Sequence, residues 1–283
     1  MDIYLLEAIV NGILLGGVLA LLALGLNLIF GVIDVVWIAY ADIVMCGMYV
    51  VYWLHDFGWP LPLACAATIV ALAAFGALIH LLIIEPILGS APINQLLATG
   101  GLLFFLQSFA TLLFGTDFLN IGVRLPIIEF HDVYISFARL LAFALALFGA
   151  IALYFFLRRT FIGTAIRAIA QDRDIIGLMG VDQRRIYIIT SMIGGALAGL
   201  AACLLVLQYD VHPFIGNTFG PLIFMICVLG GLGDMIGGFI AAFVISQIIS
   251  IGGYYSNTEL SYVLAFTFFI VLMFVRPRGI FAR

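Results

Sequence analysis

The 283-residue chain contains no lysine, and only 9% of its residues are charged. A soluble domain carries about 25% charged residues, because its surface needs polar cover. Here 65% of residues are hydrophobic and the mean hydropathy is +1.28, so most of the surface must face lipid. That excludes a soluble enzyme and a disordered chain. Eleven arginines against fifteen acids leave a net charge of −4, with no basic stripe to neutralise phosphates, which excludes a nucleic-acid binder. A phosphate-binding G-x-x-x-x-G-K-[ST] loop requires a lysine, so any ATP that drives this chain is bound elsewhere. The four cysteines (Cys46, Cys65, Cys203, Cys227) lie in apolar runs with no C-x-x-C spacing and read as small buried residues. The N-terminus lacks the basic residues of a secretory signal, so the first apolar stretch reads as a retained span.

What is present is apolar length. A membrane helix needs about 20 mostly apolar residues. Nine stretches qualify or nearly so: 8–30, 35–54, 61–84, 91–115, 138–157, 186–209, 218–233, 236–252 and 259–275. The expected fold is an all-α, polytopic membrane helix bundle of eight or nine segments, forming one transmembrane domain over 1–283. The seventh and eighth stretches are short and glycine-flanked, and are expected as a broken or re-entrant pair beside a path. The second is irregular, interrupted by Asp34, Tyr40 and Asp42.

The arginines set the orientation. Six of eleven lie in 158–185 and three more (Arg276, Arg278, Arg283) in the C-terminal tail. Basic residues collect on cytoplasmic loops, so both segments, and with them the C-terminus, are expected in the cytoplasm. Nine segments then place the N-terminus outside, together with loop 116–137 and its Asp117, Arg124, Glu129, His131 and Asp132.

Segment 158–185 holds nine of the 26 charged residues. Its middle, Thr164 to Met179, is rich in helix formers, with Gly163 before it and Gly180 after it as start and stop signals. It reads either as an ordinary connector or as a short amphipathic helix offered to a cytoplasmic partner. The run VLGGLGDMIGGFIAA, 228–242, lacks the strand–helix context and following acid of a dinucleotide site. Its glycines, and the pairs Gly12/Gly16 and Gly195/Gly199, suit close helix packing. A helix break lining the path, at Gly231 and Gly233 beside Asp234, is the sharper alternative. Intramembrane polar groups are costly and tend to face cavities. The candidates are Asn11, Asn27, Asp34, Asp42, His80, Asn94, Gln107, Gln208 and Gln247. Asp34 and Asp42 flank Trp37–Tyr40 and lie either at an interface or on a path. His80 and Glu85, near a helix end, are expected to reach toward the cytoplasmic face. No nucleophile–base, paired-carboxylate or H-E-x-x-H pattern marks an enzyme.

Four motifs in this order resemble the permease subunits of the branched-chain amino-acid family of bacterial ABC importers. NGILLGGVLALLALGLNLIFGVID is similar to the family's start. Gly163, Arg167-Ala168, Ala170, Asp172, Arg173 and Gly180-Val181-Asp182 resemble its cytoplasmic coupling motif. VLGGLGDMIGG and VRPRGIF resemble its glycine-rich segment and its ending. The resemblance runs from about Asn11 to Gly279. One departure stands out. Trp37-Ile38-Ala39-Tyr40-Ala41 occupies the place of an Asn-Phe-Ala-His-Gly run, and only Ala39 matches.

The resemblance implies a bacterial inner-membrane permease that is not itself an enzyme and holds no cofactor. A second permease chain (homologue or copy), two cytoplasmic ATPase subunits and a periplasmic binding protein would complete the importer. Gly163–Gly180 would dock on the ATPases. Asn11, Asn27, Asp34, Trp37, Tyr40, Asp42, Gln107, Gly231 and Gly233 are the candidates for the path. The solute would be a branched-chain amino acid or a related amino acid, amide, urea or aromatic acid. The alternative is a stand-alone secondary transporter or channel.

Overall fold

The computed structural model describes residues 3–123, 126–130, 133–172, 180–276 and 279–280. Its helices are α1 (Ile3–Ile33), α2 (Tyr40–Asp56), α3 (Leu61–Ile79), α4 (Glu85–Ile87), α5 (Pro92–Phe114), α6 (Phe137–Arg159), α7 (Phe161–Gln171), α8 (Gln183–Leu205), α9 (Ile215–Gly230), α10 (Met235–Tyr255) and α11 (Thr258–Val275). A π-helical turn, His80–Ile84, carries α3 into α4. Each of the nine apolar stretches coincides with a helix. Among the described residues, seven helical spans are long and apolar enough to cross a bilayer. The 17-residue α2 and 16-residue α9 are shorter, about 25 Å at 1.5 Å per residue against a hydrocarbon core of about 30 Å.

Helix α1 is the axis of the bundle. It is apolar on every side, as a helix with no solvent face must be, and its most apolar window is 83% buried. Helices α6, α8, α9 and α10 pack around it. Helix α11 lies at the periphery, with only 11% of its window buried. In lipid no hydrophobic drive pushes helices together, so packing depends on close approach of small residues. Gly12 and Gly16 of α1 face Gln247, Ser246 and Phe243 of α10. Gly76 of α3 and Gly195 of α8 meet backbone to backbone: a Cβ on Gly195 would stand 2.2 Å from the Leu72 carbonyl oxygen.

The loops collect at two ends. At one end, Gly31 of α1 lies against Gly233, Glu85 pairs with Arg184 at 2.6 Å, and α7 follows α6 directly. Arg158, Arg159, Arg167, Arg184, Arg185 and Arg276 all belong to this basic end. At the opposite end, Arg139 donates to Asn11 at 2.8 Å and Leu119 bridges Val211. There, strands β1 (Ile127–Phe130) and β2 (Val133–Ser136) pair antiparallel, with Ile127 opposite Ser136.

Several local expectations are corrected. The glycine-rich pair is a hairpin of two helices, and its turn 231–234 lies at the basic end beside the last turn of α1. The turn needs the positive φ of Gly231 (99°) and Gly233 (85°), which L side chains rarely adopt. Helix α7 starts at Phe161, two residues before Gly163, because the Thr160 hydroxyl caps it by accepting from the Gly163 N–H at 3.0 Å. It ends at Gln171, and Arg173 to Met179 lie outside the described residues. His80 does not reach the surface. The π turn keeps the chain helical past it, α8 covers it, and it is fully buried with Nδ1 3.0 Å from the Ser191 hydroxyl. Cys65 and Cys203, distant in sequence, come together where the Cys203 thiol donates to the Cys65 carbonyl.

Packing at Gly195 yields a direct expectation. Gly195→Val forces α3 away from α8 and lowers stability by about 1–3 kcal/mol, read as a drop in the thermal unfolding midpoint in detergent. Gly100→Ala, which meets open space, is neutral or raises stability by about 0.5–1 kcal/mol.

Candidate functional site

Helices α2 and α9 are short because both begin inside the protein. After α1 ends, residues 34–39 run irregularly back into the bundle. Asp34, with φ 60°, makes the bend, while Val35, Trp37 and Ala39 are buried. Irregular backbone at membrane depth survives only where protein or a cavity satisfies it. Here Thr99 Oγ1 donates to the Val36 carbonyl at 3.0 Å, and Tyr40 N–H donates to the Trp37 carbonyl at 3.1 Å. The Tyr40 hydroxyl then reaches across to the Gly194 carbonyl of α8 at 3.2 Å. It rests against Gly25, eight residues before the end of α1, or about 12 Å along the axis.

Two residues later comes Asp42, which is 1% exposed. Gln107 Nε2 of α5 donates to its Oδ1 at 3.0 Å and to Asn217 Oδ1 of α9 at 2.8 Å. Gly216 makes room for the carboxylate: a Cβ there would stand 2.4 Å from Asp42 Oδ1. Helix α9 has no side-chain cap, so its first turn presents the positive end of a helix dipole to this carboxylate. Gln107 lies about 10 Å from the nearer end of α5, so the cluster sits within the bundle and not at its rim. Asp42 Oδ2 and Trp37 Nε1 are buried without a hydrogen-bond partner. Both residues line one cavity of about 320 Å³, together with Tyr40, Gly216 and Asn217. Its remaining wall is mostly apolar, from Leu26, Leu96, Leu103, Ile223 and Phe224.

The structure gathers Trp37, Tyr40, Asp42 and Gln107 from the sequence candidates and separates the others from them. Asn11 is tied to Arg139 at the opposite end. Asn27, fully buried, clamps the α9–α10 turn: its Oδ1 accepts from the Gly233 N–H at 3.2 Å and its Nδ2 donates to the Asp234 carbonyl at 3.4 Å. Asp34 is exposed at the basic end and shares a cleft with Ala170, Asp172 and Gly233. Gly216 and Asn217 escaped sequence reading. Their signal was a glycine and an amide just ahead of the seventh apolar stretch.

Helix α7 forms a second surface at the basic end. Gly163, Ala165, Ile166 and Ile169 are buried, and the helix packs against α1, α6 and α8. Thr164, Arg167, Ala170 and Gln171 face out, and Ala168 is half-buried. Gly163 permits the tight α6–α7 corner, since a Cβ there would stand 2.4 Å from Leu157 Cα. Arg167 and Ala170 border a recess shared with Gly231, Gly233 and Asp234 of the α9–α10 turn. Asp234 caps α10 by accepting from the Ile236 and Gly237 N–H groups at 2.9 and 3.0 Å. Asp172 and Gly180 are exposed, whereas Arg173 lies outside the described residues, as do Arg124, His131 and Asp132 of the opposite loop.

Residues 8–273 match a family described as "Branched-chain amino acid transport system / permease component". The high-affinity branched-chain amino acid transport system permease protein LivH of Escherichia coli K12 is 29% identical over 301 residues, covering 99% of this chain and 96% of its own. The corresponding BraD protein of Pseudomonas aeruginosa is 29% identical over 294 residues, covering 98% and 96%. Among solved structures, PsaBC from Streptococcus pneumoniae in complex with Fab aligns with a TM-score of 0.50 at 15% identity, over 95% of this chain and 91% of that one. The last likeness is one of fold.

The Asp42–Gln107–Asn217 cluster behaves as a unit. Gln107→Leu removes the donor to two acceptors and costs about 1.5–3 kcal/mol, the range for a hydrogen bond to a charged group. In a double-mutant cycle with Asp42→Asn, followed by thermal unfolding, the double variant loses less than the sum of the single losses.

Proposed function

The chain belongs to the family of branched-chain amino acid transport system permease components, and from that premise we propose that it forms the solute path of a bacterial ABC importer. It is a multi-span membrane protein, and its relatives are transport permeases and not enzymes. The observation that carries the reading is the cavity at the start of α2, where buried polar groups converge inside an apolar bundle. We assign Trp37, Tyr40, Asp42 and Gln107 to the path. Gly231 and Gly233 form the turn between α9 and α10 at the basic end, Asn27 of α1 clamps it, Asp34 belongs to the cleft beside it, and Asn11 to the opposite rim. The solute is a small amino acid of the branched-chain class, in line with the transport systems to which the relatives belong.

The basic end faces the cytoplasm by the positive-inside rule, which puts the C-terminus there and the β1–β2 strand pair outside. Two ATPase subunits bind this end, a second permease chain completes the path, and a periplasmic binding protein delivers solute opposite. The outward residues of α7 give the ATPases a charged contact flanked by small side chains. Its buried residues seat it on α1, α6 and α8, so a push on α7 bears directly on α1, which carries Leu26 on the cavity wall. ATP binding and release then stabilise inward- and outward-open states by turns.

The test is uptake of L-leucine by the assembled transporter in proteoliposomes, alongside ATP hydrolysis. Arg167→Glu or Ala168→Trp should cut uptake by about tenfold or more while the chain still inserts and ATP is still hydrolysed, the loss expected for a central interface residue. Wild-type uptake in both variants would remove α7 from coupling. Uptake by the isolated chain without ATP would replace the importer with a stand-alone transporter.

A further inference from the structure

Two residues of the cavity lining, Asp42 and Trp37, each hold a buried polar atom without a hydrogen-bond partner. A buried carboxylate with a bare oxygen is expensive in an apolar setting. Gln107 donates to Asp42 Oδ1, but Oδ2 has no partner. No arginine or histidine is among the residues that line the cavity. A cationic donor carried by a solute would complete Asp42 there. An ammonium group suits it, having three N–H donors and no acceptor. The Trp37 indole presents the converse. Nε1–H can only donate, it is buried, and nothing accepts from it. A carboxylate can only accept. The apolar part of the same lining, including Leu26, Ile223 and Phe224, suits a hydrocarbon side chain. The volume, about 320 Å³, falls at the lower end of small-molecule sites, about 300–1,000 Å³.

We propose that this permease chain itself carries a solute-reading site inside the membrane, where Asp42 Oδ2 accepts from the solute's ammonium and Trp37 Nε1–H donates to its carboxylate. The inference rests on the importer reading and deepens it: selection for both charges of a zwitterion is built into the path and not left to the binding protein alone. Urea and amides lack the cation that Asp42 requires. Carboxylic acids without an amine meet Asp42 as a like charge.

The experiment measures equilibrium binding of labelled L-leucine to the permease–ATPase assembly in nanodiscs without the binding protein, so that only the path selects. Competitors are 3-methylbutylamine, which keeps the ammonium, and 4-methylpentanoate, which keeps the carboxylate. Wild type should bind leucine about tenfold or more tighter than either competitor, the worth of one charge-assisted hydrogen bond. Asp42→Asn should weaken leucine by a similar factor and erase its advantage over 4-methylpentanoate. Trp37→Phe should erase its advantage over 3-methylbutylamine. This crossed pattern is one that a purely structural role would not produce. Equal weakening of all three ligands in both variants would overturn the proposal, as would unchanged leucine affinity in Asp42→Asn. If Asp42→Asn does not assemble, the Trp37→Phe comparison decides alone. Absence of leucine binding in wild type, with ATP-driven uptake intact, would overturn the site and leave the importer standing. Absence of both binding and uptake would overturn the importer reading itself.

Discussion

Lipid offers no hydrogen bonds, and the structure follows from that constraint. Every peptide N–H and C=O in the bilayer core must find its partner within the protein. A chain with 65% hydrophobic residues therefore folds as helices, which satisfy their own backbones. Hydrophobicity cannot then choose among helix arrangements, because a lipid tail is as apolar as a leucine. Small residues make that choice. At Gly76 and Gly195 the backbones of α3 and α8 touch, and at Gly31 and Gly233 the end of α1 touches the α9–α10 turn. Such contacts fix which helices are neighbours more firmly than the large side chains that fill the space between them.

The same constraint makes departures from helix informative. Residues 34–39 leave helical geometry within the bundle, and Thr99 and local turns meet part of their backbone. Helix α9 begins at depth with no side-chain cap, and the Asp42 carboxylate lies against its first turn. Two costly features, a buried carboxylate and an uncapped helix start, thus offset one another. Two of the buried polar atoms left without a partner, one carboxylate oxygen and one indole N–H, belong to residues that line a single cavity.

Much of the architecture was legible in the sequence, and for a physical reason. Long apolar runs have no alternative to helix in lipid, so all nine stretches could be read directly. The family was legible too, because its motifs are local. What depended on contacts between distant residues was not. Gln107 reaches Asp42 across 65 positions and Asn217 across 110. Nothing in the spacing marks Gly216 as the seat of a carboxylate. His80 looked like a helix-end histidine because hydropathy sees composition and not the π turn that leads it under α8. Glycines 231 and 233 suggested a break at depth, yet positive φ serves equally well to turn the chain at the end of a helix. The bounds of α7 were misjudged because a threonine cap, and not a glycine, starts it.

The two surfaces that chemistry singles out are joined by rigid elements. Helix α1 carries Leu26 on the cavity and Gly31 against the α9–α10 turn. Helix α9 carries Gly216 and Asn217 at the cavity and Gly230 against α10 at the basic end. Both helices thus run from the cavity wall to the region where α7 borders the turn. A displacement of that turn reaches Asp42 along α9 without crossing a flexible loop, and it shifts α9's first turn relative to a carboxylate anchored on α2 and α5. The backbone contact between Gly31 and Gly233 leaves no slack for one helix to move independently of the other. Because packed interiors repack between discrete arrangements and do not deform continuously, a push at the basic end favours a switch in the surroundings of Asp42 over a gradual drift. Scarce charge is thereby placed at both ends of one mechanical link: arginines where force would enter, and a single buried carboxylate where solute would be read.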